Sequence, residues 1–313
     1  MGKASRTKVE ASRREKIAAQ QAAARRAERR RRILIASGSI IVVVAIVLVF
    51  VVVKLNSNSK PSASSASNGP TGAALTAVID KTTSVPVSTL EAVGDGGAPW
   101  QSLGSGTIQK ISGSPTALTE NGKPEMLFIG AEYCPYCGAQ RWAMIVALSR
   151  FGTFSGLSTV HSSSIDIYPN TPTWSFYKST YTSKYLTFTP VETTTNVPDS
   201  TSSSGYVNLQ TPTAAQEAVW SKYDVAPYTT QDGSIPFIDY GNKYVSIGAS
   251  YLPSTLAGLS WSQIATDLSN PNSPVAKAID GTANYITAAI CKMTGDQPAS
   301  ACTPAVKSLE SQL

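Results

Sequence analysis

The chain of 313 residues contains one histidine, His161, and four cysteines. A single imidazole leaves little for His-based acid–base catalysis or a His-rich metal site. His161 falls in a Ser/Thr-rich stretch and is expected to be structural. No cofactor motif is legible, so no cofactor or metal is expected. The formal net charge of +6 suggests a basic protein, but the charge is segregated. Residues 1–32 carry 12 Lys/Arg against 3 Asp/Glu, a net of +9, while the remainder carries 14 basic against 17 acidic residues, a net of −3. The excess belongs to a tail, and no nucleic-acid partner is implied.

That tail, rich in Ala, Arg and Lys, lacks an apolar stripe wide enough to pack a core. It reads as a solvated basic tail with some attraction to anionic headgroups. Residues 33–53 follow, 21 residues without a charge and rich in Val and Ile. At helical rise they reach roughly 30 Å, the thickness of a bilayer core. Six of the eight residues from Arg25 to Arg32 are arginine. The positive-inside rule then places the N-terminus in the cytoplasm and the rest outside. The expectation is one transmembrane helix and a single-pass cell-membrane protein, with the bilayer as a partner. The alternative is a cleaved signal peptide; against it, the run is long and Lys54-Leu55-Asn56 is not a small-residue cleavage site. Residues 54–74 are Ser/Asn/Pro/Gly-rich and read as a flexible linker. Residues 75–313 form the extracytoplasmic domain.

The domain is organised around Lys123–Phe151. Met126-Leu127-Phe128-Ile129 is a short continuous apolar run, which suits a strand covered on both faces. Gly130 ends it. Cys134-Pro135-Tyr136-Cys137 follows, then helix-forming sequence through Phe151, with Trp142, Ile145, Val146 and Ser149 at helical spacing and Arg141 and Arg150 free to point elsewhere. Pro135 suits the first helical turn, so Cys134 is expected at the helix N-terminus. Free N–H groups and the helix dipole favour a thiolate there. Cys137, one turn on, can resolve a mixed disulfide formed at Cys134. Such a pair at a strand-to-helix junction is a dithiol/disulfide switch.

Around this core, Pro86–Val93 reads as a short helix and Thr107–Ile111 as a strand. Leu157–Ile167 and Tyr185–Val191 read as strands, and Thr193–Gly205 as a mobile loop. Thr211–Tyr223 reads as a helix capped by Thr211. Ile235–Tyr240 and Lys243–Ile247 read as a hairpin turning at Gly241-Asn242, with Pro236 opening its first strand. Trp261–Leu268 is a helix, and another starts at Ser273-Pro274 with Cys291 near its end.

The order strand, C-x-x-C, helix, later helix, Ile-Pro hairpin resembles the thioredoxin superfamily. More narrowly, Ala131-Glu132-Tyr133-Cys134-Pro135-Tyr136-Cys137, Arg141-Trp142, Pro236-Phe237-Ile238-Asp239 and Ala289-Ile290-Cys291 resemble a family of membrane-anchored bacterial and archaeal thioredoxin-like proteins, catalogued as a domain of unknown function. The match covers roughly residues 85–305. It implies an α/β fold: a thioredoxin-like mixed sheet with flanking helices and a β-containing insertion at about 152–210, plus the N-terminal transmembrane helix. It also implies a cis Pro236 facing the cysteines, with Ile235 and Tyr136 beside it in substrate binding. Two departures stand out. Thioredoxin has a buried carboxylate six residues before its first cysteine, where this chain has Phe128; Glu132 is nearer and is expected to be exposed. Between Cys137 and Pro236 lie 98 residues, far more than in thioredoxin.

For Cys291 and Cys302 a structural disulfide is the first reading, contributing roughly 2–3 kcal/mol. A second redox pair and a four-cysteine zinc site are the alternatives. The function expected is a membrane-anchored extracytoplasmic thiol–disulfide oxidoreductase, with Cys134 attacking and Cys137 resolving. Its partners would be cysteine-containing exported or membrane proteins and a membrane or extracytoplasmic redox partner. The alternative is a non-catalytic binding or assembly module holding structural disulfides.

Overall fold

A computed structural model of the chain describes residues 69–98 and 105–313. In chain order the elements are α1 (Gly72–Thr83), α2 (Val87–Val93), β1 (Gln109–Lys110), β2 (Thr119–Glu120), β3 (Lys123–Gly130), α3 (Pro135–Leu148), β4 (Gly152–Ser155), β5 (Ser158–His161), β6 (Pro172–Ser175), β7 (Thr180–Ser183), β8 (Thr187–Glu192), β9 (Thr194–Pro198) and β10 (Tyr206–Asn208). They continue with α4 (Ala214–Tyr223), β11 (Phe237–Tyr240), β12 (Tyr244–Ile247), α5 (Trp261–Asp267), α6 (Pro274–Thr294) and α7 (Pro304–Glu310).

The central sheet runs β1-β12-β11-β3-β2, with β8 also on β3. β3 pairs parallel with β8 and antiparallel with β11. Its apolar run is continuous because both faces are covered. Met126 and Phe128 pack into the core shared with α3 and α6, while Leu127 and Ile129 pack with Val191, Phe237, Val245 and Tyr223 on the other face. The period-2 alternation of a strand thus splits one apolar tetrad between two cores. The β11–β12 hairpin turns at Gly241-Asn242 as its sequence predicts, both with positive φ.

Several expectations are corrected. The transmembrane helix over 33–53, and with it the single-pass membrane placement, is not supported. No helix among the described residues is long and apolar enough to cross a membrane. The longest, α6, has 21 residues but carries Lys277, Asp280 and Lys292. Residues 1–32 and 33–53 lie outside the described residues, as does the linker up to 68. The architecture is a mixed α/β one, with helices packed on a mixed sheet. The linker also ends sooner than expected, because α1 already begins at Gly72. The expected loop over 193–205 contains β9, whose Thr194, Thr195 and Asn196 are buried. The stretch expected to be an insertion supplies β8, a strand of the central sheet. Helix α4 is capped by Thr213 rather than Thr211; its hydroxyl and the Gln216 side chain close a capping box three residues apart.

Cys291 and Cys302 form a disulfide, both buried, tying the end of α6 to the segment before α7. Replacing both with Ser is expected to lower stability by about 2–3 kcal/mol in urea unfolding, with Cys134 reactivity unchanged. Asp280 of α6 is fully buried, and neither carboxylate oxygen has a hydrogen-bond partner. Burial pushes its pKa from 3.8 up to about 8. A carboxyl raised on folding favours the fold below pH 3.8, and that advantage is lost as pH rises through about 8. Asp280→Asn should therefore reduce the fall in thermal stability across that window; an unchanged pH slope would show the carboxylate to be solvated.

Candidate active site: a buried dithiol at a helix start

Cys134 sits at the N-cap of α3 in extended conformation, and its Sγ accepts a hydrogen bond from the Cys137 N–H at 3.3 Å. Pro135 at the first helical position lacks the N–H that would otherwise go unpaired. Both thiols are free, with Cys134 5% and Cys137 0% exposed. Gly130 makes room for them: a Cβ there would lie 2.4 Å from the Phe128 ring and 3.2 Å from Cys137 Sγ. The strand must end in glycine for the helix to bring its second sulfur this close.

Every residue of α3 except Tyr136 is buried, Arg141 included. This corrects the expectation that Arg141 points away. Its Nε and Nη2 donate to the Glu192 carboxylate at 2.8 and 2.6 Å, and Nη2 also donates to the Ala131 carbonyl at 2.7 Å. Both side chains are 0% exposed. Glu192 ends β8 opposite Gly130, so strand register delivers the counter-charge. The guanidinium also lies 5.6 Å from the centre of the Phe128 ring. Glu132, expected to be exposed, is buried and accepts a hydrogen bond from Ser175.

These charges divide the two thiols. Burial works against a Cys134 thiolate. Hydrogen bonds from the Cys137 thiol and backbone N–H, with the positive charge of Arg141, outweigh it, and the Cys134 pKa falls below its ordinary value. Cys137 goes the other way. Burial, its hydrogen bond to Cys134 and the Cys134 charge push it well up, against the pull of Arg141. The two thiols are thus driven apart in acidity, Cys134 toward the thiolate and Cys137 toward the protonated form.

The remaining sequence-picked residues converge here. The Ile235–Pro236 peptide is cis, and the Ile235 carbonyl is 3.9 Å from Cys134 Sγ. Ile235 and Tyr136 line one groove, of about 970 Å³, with Thr107, Gln109, Tyr228 and Gln231. On the other side Tyr133 stacks on Tyr206 with centroids 4.2 Å apart, and Tyr136 meets Tyr168 edge-on at 5.7 Å. Cys291 and Cys302 are bonded to one another, which removes them from any four-cysteine zinc site. His161 ends β5, its ring 4.5 Å from that of Trp261.

Sequence reasoning missed Arg141, Glu192, Tyr168 and Tyr206 as site residues. Arg141 left a trace: it is the one charge on the helix, a turn after Cys137. Glu192, Tyr168 and Tyr206 left none, because their proximity depends on β8 pairing and loop closure.

Fold and geometry together define a mixed α/β protein with an electrostatically biased dithiol centre. A family profile described as Domain of unknown function (DUF929) matches residues 109–292, and the chain belongs to that family. A second profile, described as an Inhibitor of host cell division protein domain, matches residues 11–67, which lie outside the described residues. Comparison with curated proteins and with solved structures returns no match.

Removing the Arg141 charge with Arg141→Met should shift the pH profile of Cys134 alkylation to higher pH and slow the reaction several-fold at neutral pH. Because that variant strands Glu192, the doubly neutral Arg141→Met/Glu192→Gln serves as the folding control. An alkylation profile identical to the parent in the folded double variant would dismiss the charge as the cause.

Proposed function

We propose that this protein is a thiol–disulfide oxidoreductase of thioredoxin-like type acting on cysteines of protein substrates. The observation that carries the reading is the Cys134–Cys137 pair at a helix start, with its two thiols pushed in opposite directions beside a buried arginine. The sheet order and the hairpin strand opened by Pro236 next to the cysteines support the thioredoxin-like part of the reading.

In the reductive direction the Cys134 thiolate attacks one sulfur of a substrate disulfide. The substrate S–S bond breaks, a Cys134–substrate S–S bond forms, and the other substrate sulfur leaves as a thiolate. Forming the mixed disulfide consumes the Cys134 charge. Burial still holds the Cys137 proton, but its hydrogen bond to a Cys134 thiolate and that charge are gone, and Arg141 still favours ionisation. Cys137 passes its proton to the departing substrate sulfur and attacks Cys134. The Cys134–Cys137 disulfide forms and the second substrate thiol is released. The protein pair loses two electrons and the substrate disulfide gains them. Run backwards, the same steps donate a disulfide to a substrate dithiol. Among the described residues nothing pairs with the Ile235 N–H, and its carbonyl meets only Cys134 Sγ. An extended substrate chain beside the thiolate would satisfy both groups.

The burial of both sulfurs is the observation favouring the competing reading, a binding module with a static bridge. A reduction potential below about −300 mV, typical of structural disulfides, would favour it. For the enzyme reading, Cys137→Ser is expected to accumulate reducible mixed disulfides through Cys134 in cells, and Cys134→Ser/Cys137→Ser to accumulate none. No trapped species, together with no reaction of the purified protein on a model disulfide, would end it.

A further inference from the structure

The groove beside Cys134 has a uniform chemistry. Ile235 touches Cys134 Sγ through its carbonyl at 3.9 Å, and the groove runs from Ile235 and Tyr136 toward the segment 227–231 and the β12 end. Its volume is about 970 Å³, enough for several residues of an extended chain. None of the residues lining it carries a charge. Its polar groups are hydroxyls and amides, among them Ser105, Thr107, Gln109, Thr229 and Gln231; Ile235 and Ile247 supply apolar wall. The Gln109 amide is itself anchored, donating to the Tyr228 carbonyl at 3.0 Å. Around Tyr136 the surroundings differ: burial is the main cause that raises the phenol pKa values of Tyr133, Tyr136 and Tyr206, and the Asp166 charge adds a smaller push in the same direction.

We propose that the groove selects substrates in which the reactive cysteine is flanked by an extended, uncharged segment, rich in Ser, Thr, Asn, Gln and Gly, and that it discriminates against both acidic and basic flanks. This rests on the oxidoreductase reading above and adds its substrate class. An extended chain exposes backbone and side-chain groups that hydroxyls and amides can pair. A carboxylate or ammonium entering the same space sheds part of its hydration and meets no counter-charge among the lining residues, so the lining penalises it whatever its sign. Charge of one sign in the lining would instead favour the opposite flank.

The test uses the reduced full chain and three peptides of equal length. Each holds one cysteine in a mixed disulfide with a chromogenic aryl thiol. The flanks are Ser/Thr/Gly, Asp or Lys. Aryl thiol release is followed, and each rate is divided by the rate with glutathione to remove the peptide's own reactivity. In each turnover the Cys134 thiolate bonds to the peptide sulfur and the aryl thiolate leaves; Cys137 then releases the peptide thiol. The uncharged peptide is expected to react about tenfold faster than either charged one. Equal rates for all three, or preference for one charged peptide, would overturn the substrate class and leave the oxidoreductase reading intact. No reaction with any peptide would overturn both. Thr230→Lys places one positive charge in the exposed part of the lining. It should raise the rate of the Asp peptide several-fold at low salt and lose that gain at high salt. No change with Thr230→Lys would show that the groove is not where the flank lies.

Discussion

A guanidinium wholly withdrawn from water sets the terms for everything near it. Arg141 has no exposed surface, so its charge must be answered from within, and Glu192 answers it through two hydrogen bonds. Desolvating two ions is costly, and pairs of this kind are weak sources of stability. What the pair does supply is position. It ties α3 to the end of β8 and, through the Ala131 carbonyl, to the turn before Cys134. Helix, central strand and parallel neighbour are thereby held in one register, and a permanent positive charge lies within reach of both sulfurs.

The site is built from short-range necessities. Glycine at 130 is required because Cys137 Sγ and the Phe128 ring occupy the space of a side chain. Six residues before Cys134 stands Phe128, which offers no charge. Here carboxylates enter from elsewhere, Glu192 on β8 and Glu132 in the turn, with the arginine among them. The thiols are distinguished by what each must tolerate. Cys134 receives hydrogen bonds at the helix start, whereas Cys137 is sealed beneath it and faces its neighbour's charge. In the proposed reaction, forming the first bond would remove the Cys134 charge and hydrogen bond that add to the burial of Cys137.

Much of this was legible beforehand, and the reasons are local. The apolar tetrad 126–129 flanked by turn residues predicts a doubly covered strand. Cys-Pro-Tyr-Cys predicts a capped helix start. Gly241-Asn242 between two apolar runs predicts a hairpin. Each depends on neighbours within a few positions, where backbone sterics and capping decide. The misreadings share another cause. Arg141 and Glu132 were placed outside because isolated charges avoid burial; they are inside because distant partners, Glu192 and Ser175, meet them there. The stretch 193–205 looked like loop because Thr and Ser pair poorly with an apolar core; it contains a strand because β10 offers backbone partners.

By itself the sequence determined that two cysteines stand one turn apart where a buried strand hands over to a helix, and that a proline-led hairpin belongs to the same domain. Those are consequences of local geometry and side-chain chemistry. Only the tertiary structure decided which charge faces the thiols and that an uncharged groove opens beside Cys134. Such facts depend on pairings between residues tens of positions apart, and chain order carries no record of a distance that folding alone creates.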